Sequence, residues 1–270
     1  MKKFTMSLLL LGAGANAYAE ESVIFEDNFD YLIPYTAVDP SGSNSVYDGM
    51  GINDCAPGCM NLKDIVLDGK IAGEEMESKG YELIYAPVKS TQSGPMCVYL
   101  QKTVENEETI GAYLRLGKGS YTAGLNLPVF SDLGEEGAKD VKVSFEWCPI
   151  RQGGGSYDKT HLIVLINDEQ DTKVEVPAHT LAKNAPLAWI PVTVSMGAFS
   201  VKNGDRITIR NADDEWEDTS KKYYRYFFRN IKVTAENATS GVEVIADESA
   251  PVEYYNMQGI RVAEPSKGIY

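Results

Sequence analysis

Residues 223–233 (YYRYFFRNIKV) decide the fold of this chain, because they form a run of aromatic and β-branched residues that contains neither Gly nor Pro. That composition favours a β-strand. The last residues of the run alternate, which predicts that Phe227, Ile231 and Val233 point inward while Lys232 points outward. The stretch is therefore predicted to be a buried strand with a partner on each side.

The partner predicted for this strand is the apolar run near the other end of the chain, residues 22–32 (SVIFEDNFDYL). Both runs are too apolar to be free edges of a sheet. Pairing the first strand with the last is a common way for a β-sandwich to hide its edges. We therefore expect residues 23–29 and 227–233 to lie in one sandwich, adjacent or nearly so.

Short alternating runs separated by Gly, Asn and Asp turns fill most of the remaining sequence. Turns about every 8–12 residues are typical of an all-β antiparallel sandwich. One short helix is predicted within residues 61–80, because residues 73–79 (GEEMESK) begin with acidic residues, end with lysine and are followed by glycine. Strands are predicted at residues 81–85, 96–101, 112–116, 122–127, 141–148, 161–167, 172–176, 189–194 and 206–210.

The three tryptophans receive different predictions. Trp147 ends the apolar stripe of residues 141–147 (VKVSFEW), which predicts a core position rather than a sugar-binding one. Trp189 is out of phase with the apolar residues that follow it, so it is predicted to lie on the outer face of its strand. Trp216 lies among the carboxylates of residues 213–218 (DDEWED), which cannot all be buried. It is predicted to be exposed in a polar loop.

Residues 1–19 contain the three parts of a signal peptide. Lys2 and Lys3 form the charged start, residues 6–15 form a short apolar core, and residues 17–19 (AYA) fit the small-x-small cleavage pattern. A buried N-terminal helix is the alternative. We expect export to the periplasm, the outer-membrane surface or the outside of the cell. No other stretch approaches the length of a membrane span.

The chain is acidic, with 25 Lys and Arg against 39 Asp and Glu and a formal net charge of −14. Nucleic acids and anionic membranes bind basic surfaces, so neither is expected as a partner. An excess of negative charge also keeps a protein soluble, and this is the simpler interpretation.

The four cysteines fall into two pairs. Cys55 and Cys59 enclose a Pro-Gly turn, so we predict a local disulfide between them in an oxidising compartment. Cys97 and Cys148 lie in or near predicted strands, where a cross-strand disulfide and two buried thiols are equally compatible with the sequence. A structural zinc site would need a second CxxC or nearby histidines. The spacing here is CxxxC and the sequence has only His161 and His179, which argues against such a site.

No catalytic set emerges from the sequence. Residues 167–171 (NDEQD) and 213–218 are rich in carboxylates, but they lie in predicted turns, where solvated charge is the usual explanation. His161 begins an apolar strand and His179 lies in a loop, and no G-x-S-x-G serine accompanies them.

Five segments, taken in order, form a recognisable set. They are residues 25–32 (FEDNFDYL), 62–83 (LKDIVLDGKIAGEEMESKGYEL), 113–128 (YLRLGKGSYTAGLNLP), 141–147 and 226–233. In this order they resemble the secreted jelly-roll proteins of gut Bacteroidales. The resemblance covers almost the whole mature chain and implies a jelly roll of the galactose-binding or carbohydrate-binding-module type over residues 20–238.

The C-terminal residues 252–270 (VEYYNMQGIRVAEPSKGIY) resemble, in shortened form, the sorting tails of the type IX secretion pathway. Residues 239–251 between this tail and the jelly roll are short and acidic, as expected of a linker.

The same resemblance implies a possible structural calcium between the first and last strands, since such domains hold one with oxygen ligands. The matching candidates here are Asp27 and Asn230. Arg229 stands where an acidic residue is usual in the family, and its positive charge disfavours the ion. The alternative is that Arg229 forms an ion pair with Glu26 or Asp27. No other cofactor is expected.

The function predicted first is non-catalytic binding of a glycan or another cell-surface component by an aromatic-bearing face. Trp216, Trp189 and Tyr157 are the candidate binding residues, the last because the Gly-rich residues 153–155 leave its backbone free to adapt to a ligand. A structural or adhesive envelope protein is the alternative, and a glycoside-active enzyme is the third.

Overall fold

The computed structural model describes residues 21–38, 60–86, 97–106, 108–119, 121–216, 223–236, 254–255 and 261–262. The chain divides into two units, Met1–Ser240 and Gly241–Tyr270. The predicted signal peptide (1–19), the linker (239–251), most of the tail and the Cys55–Cys59 pair lie outside the described residues, so these remain predictions.

Short strands dominate the described part of the first unit. Its two α-helices are α1 (Ala72–Ser78) and α2 (Asp213–Trp216), and 3-10 turns occupy Asp30–Ala37, Leu62–Asp64 and Gln170–Thr172. Its strands are β1 (Glu21–Asp27), β2 (Met60–Asn61), β3 (Val66–Leu67), β4 (Lys70–Ile71), β5 (Glu82–Ala86), β6 (Val98–Glu105), β7 (Glu108–Leu116), β8 (Thr122–Asn126), β9 (Lys139–Pro149), β10 (Leu162–Ile166), β11 (Val174–Glu175), β12 (Ile190–Ser195), β13 (Ile207–Asn211) and β14 (Tyr226–Glu236).

Two antiparallel sheets form the body of this unit. Within the described ranges, one sheet has seven strands in the order β12-β9-β14-β7-β6-β2, with β1 also paired to β14, and the other has five in the order β11-β10-β13-β8-β5. Successive strands from β7 to β10 alternate between the sheets, and the inner faces of both sheets share one hydrophobic core. The predicted all-β jelly-roll sandwich is confirmed.

The pairing of the first strand with the last is also confirmed. β1 runs antiparallel to β14, with Phe25 opposite Val233 and Asp27 opposite Ile231. On its other side β14 pairs with β9 along most of its length. The apolar residues of β14 are therefore enclosed by neighbours, as their composition requires, whereas Tyr223 before the strand is 43% exposed.

The prediction that Phe227 shares the inward face of Ile231 and Val233 is wrong. The register between β14 and β9 shifts between Arg229 and Lys232, and Asn230 in this bulge has a left-handed φ of 51°. The extra residue reverses the alternation, so Phe228 joins Ile231 and Val233 in the main core. Phe227 packs instead into an outer cluster on the opposite face of the sheet, which consists of Tyr113, Cys148, Ile150, Tyr157 and Phe227.

The sequence predicted the positions of the strands well, but it predicted one helix where the described residues contain two α-helices. The helix predicted at residues 73–79 is α1, and every predicted strand overlaps one in the structure. The second helix, α2, is a single turn in a segment that was predicted to be a loop. Trp147 lies in the core with 1% of its surface exposed, as predicted.

The second unit is described at four residues, where strand β15 (Tyr254–Tyr255) pairs antiparallel with β16 (Arg261–Val262). Among all the described residues, no helix is long and apolar enough to span a membrane.

Cys97 and Cys148 are both free thiols, which settles the alternative that the sequence left open. Burial raises the pKa of Cys97 to about 11 and that of Cys148 to about 12. Because the thiolate is the reactive form, we expect both to resist alkylation in the folded protein at pH 8 and to react quickly in denaturant. Peptide mapping after timed alkylation measures this, and rapid labelling of either thiol in the folded protein would contradict the burial.

Candidate functional site

A buried ion pair fixes the loop between β9 and β10 against the start of β14. Asp158 is fully buried, and its carboxylate accepts hydrogen bonds from Arg225 Nε at 2.7 Å and from Gln152 Nε2 at 2.8 Å. The Thr160 hydroxyl donates to the Arg225 carbonyl at 3.1 Å. These contacts place the loop side chains and the residues before β14 on opposite sides of one cleft.

The same arginine supports an exposed aromatic ring. The Arg225 guanidinium carbon lies 4.3 Å from the centroid of the Tyr223 ring, within cation–π range. A Cβ added to Gly119 would come within 2.9 Å of Tyr223 Cε1, so this ring packs closely on the glycine backbone. Tyr223 still exposes 43% of its surface. Its orientation is therefore set from Asp158 through Arg225, while part of the ring stays open to solvent.

The buried carboxylate of Glu215 forms another side of this cleft. Glu215 in α2 is 2% exposed and accepts hydrogen bonds from the His161 backbone N–H at 3.1 Å and from Asn211 Nδ2 at 3.0 Å. His161 Nδ1 lies 2.8 Å from Glu215 Oε1. Burial raises the pKa of Glu215 above its usual value, although the hydrogen bonds from Asn211 and His161 oppose the rise.

We expect Glu215→Gln to gain stability relative to the wild-type protein as pH rises above 4.5, the ordinary glutamate pKa. The raised pKa means that the folded protein binds more protons than the unfolded chain above this value. The free energy of unfolding of the wild-type protein therefore falls as pH rises towards the folded pKa, and the loss is complete above it. Glutamine does not titrate, so the Glu215→Gln variant does not lose unfolding free energy in this way as pH rises.

Urea unfolding of both proteins across that pH window measures the difference. Asp27, whose pKa is also raised by burial, is present in both proteins, so its contribution cancels. A difference that stays constant with pH, or that moves in favour of the wild-type protein, would contradict the expected titration of Glu215.

These elements enclose a cavity of about 510 Å³, which we call the tyrosine cavity. Its aromatic and polar side chains lie side by side, so it offers flat apolar surfaces next to hydrogen-bonding groups. It is lined by Tyr157, Tyr223 and Tyr224 together with Gln152, Ser156, Lys159, His161, Asp214 and Glu215.

Of the three predicted binding residues, Tyr157 lines this cavity. It is 7% exposed, and its hydroxyl donates a 2.8 Å hydrogen bond to the Ala185 carbonyl. The backbone before it forms a defined turn, with Gly155 N–H bonded to the Gln152 carbonyl and Gly155 at φ 81°. A side chain at Gly155 would collide with Asn184. The Gly-rich segment is therefore a defined turn in this structure, and its freedom to adapt to a ligand stays a prediction.

Trp216 does not line the tyrosine cavity, and its predicted setting is wrong. It ends α2 and is half-buried, with the Arg210 guanidinium carbon 5.0 Å from its ring centroid. Its carbonyl accepts a 2.6 Å hydrogen bond from the Thr122 hydroxyl. The prediction that the carboxylates of residues 213–218 are solvated is wrong for Glu215. This carboxylate is buried, and it is hydrogen-bonded by His161 and Asn211.

Trp189 directly precedes β12 and packs against the outer cluster, so it lies on the outer face of the sheet, as predicted. Tyr113 meets it edge-on at 5.3 Å, and the Arg229 guanidinium carbon lies 4.2 Å from its ring centroid. Trp189 is also outside the tyrosine cavity. The structure thus places Tyr157 and Trp189 in or against the outer cluster and Trp216 elsewhere, and of the three only Tyr157 lines the tyrosine cavity.

The two calcium candidates are hydrogen-bonded to different groups of the protein. Asp27 accepts from the Phe29 backbone N–H and from the Tyr81 hydroxyl, both at 2.7 Å, while Asn230 Nδ2 donates to Glu146 at 2.7 Å. Within the part of the chain that the structure describes, no group of three or more His, Cys, Asp or Glu is placed to hold a metal ion.

The ion pair predicted for Arg229 has a different partner. Its Nε donates to Glu146 Oε2 at 2.7 Å, rather than to Glu26 or Asp27. Glu146 lies opposite Arg229 on the neighbouring strand β9, so cross-strand register decides the pair.

Sequence reasoning missed Tyr223, Arg225, Asp158 and Glu215 as site residues. A signal existed for Tyr223 and Arg225. They are two residues apart in a run predicted to be extended, so their side chains are expected on the same face. Asp158 and Glu215 gave no comparable signal, because Arg225 lies 67 residues from Asp158 in the sequence and His161 lies 54 residues from Glu215.

No protein-family model and no curated protein matches the chain. Among solved structures it is similar to the N-terminal CBM22-1–GH10 modules of Clostridium thermocellum endo-1,4-β-D-xylanase 10B in complex with xylohexaose, with 13% identity and a TM-score of 0.33, covering 58% of this chain and 26% of that one. It is also similar to the xylan-binding CBM22-1 domain of Paenibacillus barcinonensis Xyn10C, with 13% identity and a TM-score of 0.29, covering 52% and 83%. At identities and TM-scores this low, the ligands of these two proteins say nothing about the ligand of this chain.

Proposed function

We propose that the protein is an exported, non-catalytic glycan-binding protein whose binding site is the tyrosine cavity. The observation that carries this proposal is the partly exposed ring of Tyr223, held by Arg225 beside a set of hydrogen-bonding side chains. The sequence of residues 1–19 supports export.

A sugar ring has an apolar face and a rim of hydroxyl groups, so its site needs both a flat apolar surface and polar groups in fixed positions. Tyr223 supplies the surface, and Tyr157 and Tyr224 add apolar walls. Gln152 and Lys159 supply polar groups of different kinds at the same opening. A volume of about 510 Å³ is within the range usual for small-ligand sites.

We expect Tyr223→Ala to weaken glycan binding by about 1–3 kcal/mol, the contribution of one buried aromatic contact. The melting temperature is expected to stay nearly unchanged, because the ring is partly exposed and lies outside both hydrophobic clusters. Binding is first located on an array of immobilised glycans and then measured by titration calorimetry with a soluble oligosaccharide from the array.

The matched control is Val129→Ala, since Val129 is also 43% exposed but does not line the cavity. It should bind like the wild-type protein. An array on which the wild-type protein binds nothing would favour a structural or adhesive envelope protein. Glycan binding that survives Tyr223→Ala unchanged would place the site elsewhere on the molecule.

A further inference from the structure

A second cavity adjoins the tyrosine cavity. It has a volume of about 380 Å³ and is lined in part by Val176, Pro177 and Ala178, which follow β11. His161 and Asp214 line both cavities. The two spaces therefore meet at one pair of side chains.

Both shared side chains are placed to contact a ligand that passes from one cavity to the other. The His161 side chain is 56% exposed, and its Nδ1 is engaged by the Glu215 carboxylate, which leaves Nε2 for a ligand. Asp214 is exposed on α2. The hydrogen bond to buried Glu215 holds the imidazole in one orientation, so it presents a fixed surface where the two cavities meet.

The charges around the two cavities select against anionic ligands. Asp214, Glu215 and Glu175 contribute carboxyl groups, whereas Lys159 is the one lysine among the described lining residues. The whole chain has a formal net charge of −14. Carboxylate or sulfate groups on a ligand would meet like charge, whereas neutral hydroxyl groups would find acceptors.

We propose that the two cavities form one groove that binds an extended, uncharged oligosaccharide chain. This inference rests on the proposed glycan-binding function and specifies its ligand class. Each cavity is large enough for a small-ligand site. A chain that fills both gains contacts in the second cavity without paying again for the lost freedom of a separate molecule.

The test compares disaccharides with hexasaccharides of the cello-, xylo- and manno-series, measured by titration calorimetry. The wild-type protein is expected to bind the hexasaccharide of its preferred series about tenfold or more tightly than the disaccharide. Ala178→Trp, which fills the second cavity, should reduce hexasaccharide affinity to the disaccharide level and leave disaccharide affinity unchanged.

Ala182→Trp is the matched control, because Ala182 is exposed in the same connecting segment and lines neither cavity. It should retain the dependence on chain length, and unchanged disaccharide binding in both variants reports that the fold is intact. Equal wild-type affinity for both lengths, or full hexasaccharide affinity in Ala178→Trp, would overturn the groove while leaving a site that depends on Tyr223. Oligogalacturonate binding as tight as that of the neutral hexasaccharide would overturn the charge selection. Failure of every neutral series to bind would overturn the groove, whereas the proposed glycan-binding function would fall only if the wild-type protein also bound nothing on the glycan array.

Discussion

Asp158→Ala is expected to lower the free energy of unfolding by about 3–5 kcal/mol, the usual cost of removing one partner of a buried ion pair. The Asp158 carboxylate is fully buried and accepts hydrogen bonds from the side chains of Arg225 and Gln152. Its removal leaves the buried Arg225 charge without this carboxylate. Typical domains are stable by about 5–15 kcal/mol, so the loss is a large fraction of the total.

The same substitution is expected to weaken glycan binding under conditions where the variant is still folded. Arg225 orients Tyr223, and Asp158 orients Arg225, so the loss of the carboxylate frees the exposed ring as well. Urea unfolding gives the stability change, and calorimetry at low temperature gives the change in affinity.

Glu136→Ala is the control for this prediction. It removes an ion pair of 2.9 Å to Lys139 on the exposed surface, where pairs contribute little, and it should change neither stability nor binding. If Asp158→Ala proved as harmless as Glu136→Ala, the ion pair would not anchor the loop. A variant that loses stability yet binds glycan normally would separate Asp158 from the orientation of Tyr223.

The sequence predicted the sandwich because period-two alternation and turn residues are local signals. It placed the strands, α1 and the pairing of β1 with β14 without knowledge of the core. It missed the bulge at Asn230, because Phe227 and Phe228 are both aromatic and either one fits an inward position. The alternation of the later residues was therefore extended through the bulge to the wrong phenylalanine.

The site was harder to predict, since it is made by residues that meet across long sequence separations. Because its neighbours are acidic, Glu215 was predicted to be solvated. It is buried instead, and hydrogen bonds from His161 and Asn211 make that burial possible. Trp216 was favoured by residue type alone, although the fold places its ring on Arg210. Alternation shows which residues share a strand face, but it does not show which loops meet.

The phenylalanines on either side of the sheet provide the last test. Phe228 packs in the main core, with its ring centroid 5.1 Å from that of Phe145 and 6.3 Å from that of Phe29. We expect Phe228→Ala to lower the free energy of unfolding by about 3–5 kcal/mol, the usual cost of removing a buried phenylalanine side chain. Glycan affinity of the folded fraction should stay unchanged, because Phe228 is on the face of β14 that points away from the outer cluster.

Phe227→Ala is the matched variant, since the two residues are adjacent and almost equally buried. Its ring packs on Tyr113 at 5.4 Å within the outer cluster, which also contains Tyr157. A similar loss of stability is expected, but here together with weaker binding, because the cavity left by Phe227 lets the wall residue Tyr157 shift. Urea unfolding and calorimetry on both variants decide the question. Weaker binding in Phe228→Ala with normal binding in Phe227→Ala would show that the faces of β14 are assigned the wrong way round.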